Sequence, residues 1–187
     1  MRRHFDESGM RTPIEHQSIV LNCLTYLGTP EWNQMPDELL HIIVQSCLDS
    51  SEKAQMLYIS AIKLLGCMAC LPLFTTRQGF LPTLIEKITS AKLTEQNTNV
   101  FIRLSWTMAN TCAMLKEEES SRNISIKHYV SLFEAALSYV KSQKEKSSAN
   151  GIRSLGFLLR NGPLPELESS LDLISVLQCL YQSLQAK

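Results

Sequence analysis

Ala61-Ile62-Lys63-Leu64-Leu65-Gly66, Ser105-Trp106-Thr107-Met108-Ala109-Asn110 and Gly151-Ile152-Arg153-Ser154-Leu155-Gly156 read as one helix written three times. Gly66 and Asn110 stand 44 residues apart, and Asn110 and Gly156 stand 46 apart. Asn22 lies a further 44 residues before Gly66, so Leu21 aligns with Leu65 and Leu24 with Met68. Helical self-similarity at about 40–47 residues marks stacked helix pairs, none of which can bury its apolar face alone. The spacing predicts long repeat helices near 13–27, 52–70, 97–115 and 146–160, and it favours a binding scaffold over an enzyme.

Shorter helices are expected to alternate with these, at 36–48, 80–90, 126–141 and 166–185. Pro13 suits a first helical position, and Gly28 stops the first helix. Thr29 to Met35 reads as a loop between two prolines. Pro36-Asp37-Glu38 opens the next helix with acidic residues where the helix dipole favours them. Leu71-Pro72 ends the second repeat helix, and Asn161-Gly162-Pro163-Leu164-Pro165 breaks the fourth. Lys116 to Arg122 reads as a projecting loop and residues 1–12 as a disordered tail. No stretch alternates as a strand would. The expectation is eight helices in four pairs, forming a single domain over 13–187, alone or as part of a longer array.

The bulk numbers fit this reading. Apolar residues make up 44% of the 187, and 18 basic side chains balance 18 acidic ones, so neither disorder nor a global attraction to nucleic acid is expected. No apolar run approaches the ~20 residues of a membrane span. Basic residues at the start have no apolar segment behind them, so the expected compartment is cytoplasmic or nuclear, and Asn123-Ile124-Ser125 is not read as a glycosylation site. Six cysteines lie in apolar helical stretches and read as small hydrophobes. Cys67-Met68-Ala69-Cys70 has a C-x-x-C spacing, but at a helix C-terminus, where the dipole opposes a thiolate. No second ligand pair completes a zinc site.

Catalysis finds no constellation. His4, His16, His41 and His128 are scattered without ligand spacing, and the glycines occur singly, without a phosphate-cradling loop. No catalytic residue, cofactor or metal is therefore expected.

Trp106-Thr107-Met108-Ala109-Asn110-Thr111-Cys112 resembles the third helix of an armadillo repeat or the inner helix of a HEAT repeat. Leu64-Leu65-Gly66 and Ser154-Leu155-Gly156-Phe157-Leu158-Leu159-Arg160 are similar to the Ala-Leu-Gly-Asn-Leu-Leu signature of that superfamily. The Trp-x-x-x-Asn and Ile-Arg-Ser-Leu-Gly helices together resemble the HEAT-repeat-containing protein six family. The resemblance covers roughly 13–185 and implies a right-handed α-solenoid of about four helix pairs. In the armadillo importins, Asn clamps a peptide backbone while Trp walls a slot for a lysine stem. Trp106 and Asn110 match that pair, but Ile62 with Gly66, Ile152 with Gly156, and Ser18 with Asn22 do not. A nuclear-transport-type adaptor therefore has one rung of its ladder.

A turn of 100° per residue puts Phe101, Leu104, Met108, Cys112 and Leu115 on one side of the third repeat helix. Arg103, Trp106, Thr107, Asn110 and Met114 fall opposite. Trp106 either wedges between neighbouring helices or anchors a partner, since Trp and Arg dominate interface energetics. The same face carries Lys63 before it and Arg153 and Arg160 after it. This mild basic line reads either as solvated charge or as a groove for an acidic peptide or protein surface. The partner-binding candidates are Trp106, Asn110 and Arg103, then Lys63, Arg153 and Arg160. RNA is the alternative partner, but repeat readers of single strands keep base-reading side chains at fixed positions, and here the face varies between copies. On the last helix Leu171, Ile174, Leu177, Tyr181 and Leu184 form a stripe that Leu173, Val176 and Leu180 widen. A further repeat, a second copy or a partner is expected to pack there.

Overall fold

A computed structural model describes residues 13–51, 53–71, 80–91, 97–115, 124–167 and 172–185. Among them the chain is all-α. The elements are α1 (Ile14–Leu24), α2 (Thr29–Gln34), α3 (Asp37–Leu48), α4 (Gln55–Met68), α5 (Phe80–Ser90), α6 (Thr98–Met114), α7 (Ile126–Val140), α8 (Glu145–Asn161), α9 (Leu164–Leu167) and α10 (Leu173–Gln185). The expected tail at 1–12 and the loop at 116–122 lie outside the described residues.

Apolar spacing and local caps explain the individual helices. In α5 the buried residues Phe80, Leu81, Leu84, Ile85 and Ile88 recur at helical period and make one inward stripe. At the start of α6 the side chain of Asn97 accepts from the Val100 N–H at 3.3 Å, satisfying one of the donors a helix start leaves unpaired. His128 caps α7 through its Nδ1, which accepts the Ser125 N–H at 3.2 Å, and its Nε2 lies 3.5 Å from Glu86 Oε1.

These helices pack as two layers. α1, α4, α6 and α8 lie side by side in chain order, and α3, α5, α7 and α10 form a second row against them. The core lies between the rows. Leu64, Leu65 and Met68 of α4, Leu104 and Met108 of α6, and Leu155 of α8 meet Leu84, Ile85, Leu132 and Phe133 of the second row, all essentially without solvent exposure. Phe101 and Tyr139 stack edge to face across the two rows, with centroids 4.9 Å apart. Gly151 lets α8 approach α7 closely, because a Cβ there would fall 2.7 Å from the Val140 nitrogen.

Lys87 joins α5 to the end of α3. Its ammonium donates to the carbonyls of Leu48, at 2.7 Å, and Ser50, and lies 5.2 Å from the Tyr58 ring centroid. A cation thus caps the negative end of a neighbouring helix.

Two boundaries differ from the sequence expectation. Thr29 to Gln34 is a short helix rather than a loop, and its Trp32 is 2% exposed. Pro30 at the start of that turn is the signal that marks it. The last helix begins at Leu173, not near 166, with α9 as a separate turn before it. Asp172 fixes that start, its carboxylate accepting the Ser175 N–H at 3.1 Å.

Candidate functional site

The first row is held together by polar bonds between neighbouring helices, separated by 43–45 residues in its last two seams. Thr107 Oγ1 donates to the Ile62 carbonyl at 2.8 Å, and Asn110 Nδ2 donates to the Gly66 carbonyl at 3.1 Å. One step on, Asn150 Nδ2 donates to Ser105 Oγ and Arg153 Nη2 to Asn110 Oδ1, each at 3.1 Å. One step back, Asn22 Nδ2 donates to Ser60 Oγ at 2.8 Å, and the Ser18 and Ser60 hydroxyls meet at 2.7 Å. Partners advance together along both helices of each pair, so the four helices run parallel. These bonds lie between helices whose flanks are covered, where an unpaired polar group would be costly.

Trp106 sits in the same seam. A Cβ on Gly66 would fall 2.5 Å from Trp106 Cζ3 and 2.6 Å from Thr107 Oγ1. Gly66 is therefore the notch into which the six-membered ring of the indole fits. The opposite edge of Trp106 remains partly exposed and, with Arg103 and Ile102 of the same helix, walls an open cleft of about 720 Å³. Ile59 of α4, and Lys146, Ala149 and Asn150 of α8, also line it. The Arg103 guanidinium carbon lies 6.0 Å from the Trp106 ring centroid, at the limit of cation–π attraction.

The six residues singled out by sequence come to different surroundings. Arg103 and Trp106 share the cleft. Asn110 is 6% exposed, and its amide is engaged at both ends, by Gly66 and by Arg153. Arg153 also stacks on Phe157, its guanidinium carbon 5.7 Å from the ring centroid. Lys63 lies over the Tyr26 ring at 5.4 Å, reaching from α4 to the turn that follows α1. Arg160 stands exposed in the last turn of α8 and makes no hydrogen bond or ion pair with a described residue. Lys146, Asn99 and Asn150 complete the cleft and were not singled out. Lys146 lies in what reads as a charged corner, and only its arrival in the cleft with Arg103 distinguishes it.

The thiols are quiet. Burial pushes Cys47 and Cys112 up to about 12, and burial also raises Cys67 and Cys70. A thiol raised in this way carries little nucleophilic thiolate at neutral pH. Among the described residues no three His, Cys, Asp or Glu side chains come close enough to hold a metal, and no helix is long and apolar enough to cross a membrane.

On α10, Val176 is 1% exposed against the core, whereas Ile174, Leu177 and Tyr181 are 56–70% exposed. Leu171 and the side chains of Leu173 and Leu184 lie outside the described residues. Comparison with protein-family models, curated proteins and solved structures finds no match to the chain.

Proposed function

We propose that the chain is a non-catalytic protein-interaction scaffold: a HEAT/armadillo-like, right-handed α-solenoid that holds a partner protein or peptide against its inner row of helices. The observation that carries this reading is the parallel stack α1–α4–α6–α8, bonded at 43–45 residue separations in its last two seams, with an aromatic, cation-bearing cleft opening across three of its helices. Stacked repeats of this kind present extended binding surfaces, and a partly exposed Trp beside an Arg without an ion pair among the described residues supplies the residue types that carry interface energy. The importin-type variant is less well supported, because the Asn110 amide is already engaged by Gly66 and Arg153.

The test is affinity capture from lysate with wild-type chain and with Trp106→Ala/Arg103→Glu, followed by mass spectrometry. A protein held by the wild type and lost by the variant, at equal helical content and melting temperature, is the expected result. An identical set of captured proteins would remove the cleft from the binding surface and sink the reading.

A further inference from the structure

We propose that the cleft between α4, α6 and α8 takes a short acidic segment of a polypeptide, with a carboxylate between Arg103 and Lys146 and an apolar side chain against Trp106. The inference rests on the scaffold reading and names the chemistry of its ligand.

The charges decide the sign. Arg103 and Lys146 line the cleft from neighbouring helices, and among the described residues no Asp or Glu lines it. Neither cation forms an ion pair or a hydrogen bond with a described residue; Arg103 has only its stacking on Trp106. Of the other cations on this face, Lys63 lies over Tyr26, Arg153 is bonded to Asn110 and stacked on Phe157, and Arg160 stands in the last turn of α8, outside the cleft. The anion-binding pair is thus Arg103 with Lys146, rather than the longer basic line that the sequence suggests.

Helix direction adds to this. Lys146 and Ala149 lie in the first turns of α8, Asn99 and Ile102 in the first turns of α6, and Ile59 in the second turn of α4. Asn99 and Lys146 lie in the first turns of the parallel helices α6 and α8, where the positive ends of the helix dipoles add to the preference for negative charge set by the two side chains.

The remaining lining distinguishes a peptide from a free anion. Ile59, Ile102 and the exposed edge of Trp106 form an apolar wall that phosphate or a lone carboxylate would leave unused. Asn150 donates through Nδ2 to Ser105, which leaves its Oδ1 to accept a peptide N–H, and Asn99 is exposed with both amide atoms unbonded to described residues. A volume of about 720 Å³ lies within the ~300–1,000 Å³ typical of sites for small ligands, so it suits a few residues of extended chain rather than a folded surface.

The experiment is fluorescence anisotropy with the full chain and three labelled probes. They are decapeptides alternating Glu or Asp with Leu or Tyr, the same peptides with Lys at the acidic positions, and decauridylate. The acidic set is expected to bind at least about tenfold more tightly than the lysine set. Lys146→Glu and Arg103→Glu should each weaken it by about tenfold, and the double reversal should turn the preference toward the lysine set. Equal affinity for both peptide sets, no binding of either by the wild type, or preference for decauridylate overturns the proposal. Lysate capture with Lys146→Glu beside Trp106→Ala separates the two readings. Partners lost with Trp106→Ala but kept with Lys146→Glu would leave the scaffold standing and remove the acidic ligand. Partners kept by both would remove the scaffold, and the peptide titration would still decide the ligand.

Discussion

Gly66→Ala and Gly156→Ala make the same chemical change, each at the twelfth residue of its helix, α4 and α8, and the packing gives them opposite signs. Alanine in a helix interior is better than glycine by about 0.8–1.0 kcal/mol. At Gly156 that gain is unopposed, because nothing lies within 4 Å of the added Cβ. At Gly66 the Cβ would sit 2.5 Å from Trp106 Cζ3, 2.6 Å from Thr107 Oγ1 and 2.9 Å from Trp106 Cε3. A rigid indole and a β-branched side chain cannot swing aside without disturbing the Thr107–Ile62 and Asn110–Gly66 bonds. Overpacking of this kind costs about 1–3 kcal/mol. The net at Gly66 is a loss of up to about 2 kcal/mol, and at Gly156 a gain of about 1. With a shift of about 2–4 °C per kcal/mol for a chain of this size, a difference of about 2 kcal/mol separates the variants by roughly 4–8 °C. Thermal melting followed by circular dichroism measures the difference. Emission from Trp106, with Trp32 constant in its buried site, reports whether the indole has left the notch. If Gly66→Ala stabilised as much as Gly156→Ala, α6 would not be seated on α4 as described, and the stacking argument would fail.

Asn110→Ala removes the donor to the Gly66 carbonyl and the acceptor for Arg153, and a loss of about 1–3 kcal/mol in urea unfolding is expected; a variant as stable as wild type would contradict that bridge. Tyr139→Phe deletes a buried hydroxyl with no partner among the described residues while keeping the edge-to-face contact with Phe101, so stability is expected to hold or rise in the same assay. Alkali should unfold the chain by ionising its buried thiols. Burial holds Cys47 and Cys112 near 12 in the folded chain against 9.0 ordinarily, so the folded state binds more protons above pH 9 and stability falls as pH rises from about 9 to 12. Each thiol contributes a slope of up to about 1.4 kcal/mol per pH unit. Urea midpoints at pH 7.5, 9 and 10.5 measure the slope, and a flat profile would place these thiols in water.

Much of the packing could be read from periodicity. Phe101, Leu104, Met108, Cys112 and Leu115 are all buried, as the 100° projection predicts. The same projection misleads for Thr107 and Asn110. It gives a helix one buried side, whereas α6 is flanked within its row by α4 and α8 and loses most of its other side as well. The wedge is one of the two readings the sequence allows for Trp106; what the sequence does not show is its notch, a glycine 40 residues earlier. Trp32 was passed over because its helix has only six residues and no period to detect. Lys87 carries no signal in the sequence, and only the fold brings it to the carbonyls of Leu48 and Ser50. Likewise, Lys146 becomes interesting only once it lines a cleft with Arg103.

The glycine notch under Trp106 also sets how closely α6 can lie against α4. A Cβ at Gly66 would meet Trp106 and Thr107 at 2.5–2.6 Å, so a side chain or the helix itself must shift to admit it. The second row spans the same seam, because α5 touches α3 on one side and α6 and α7 on the other. A misfit at this one residue is therefore felt in both rows at once.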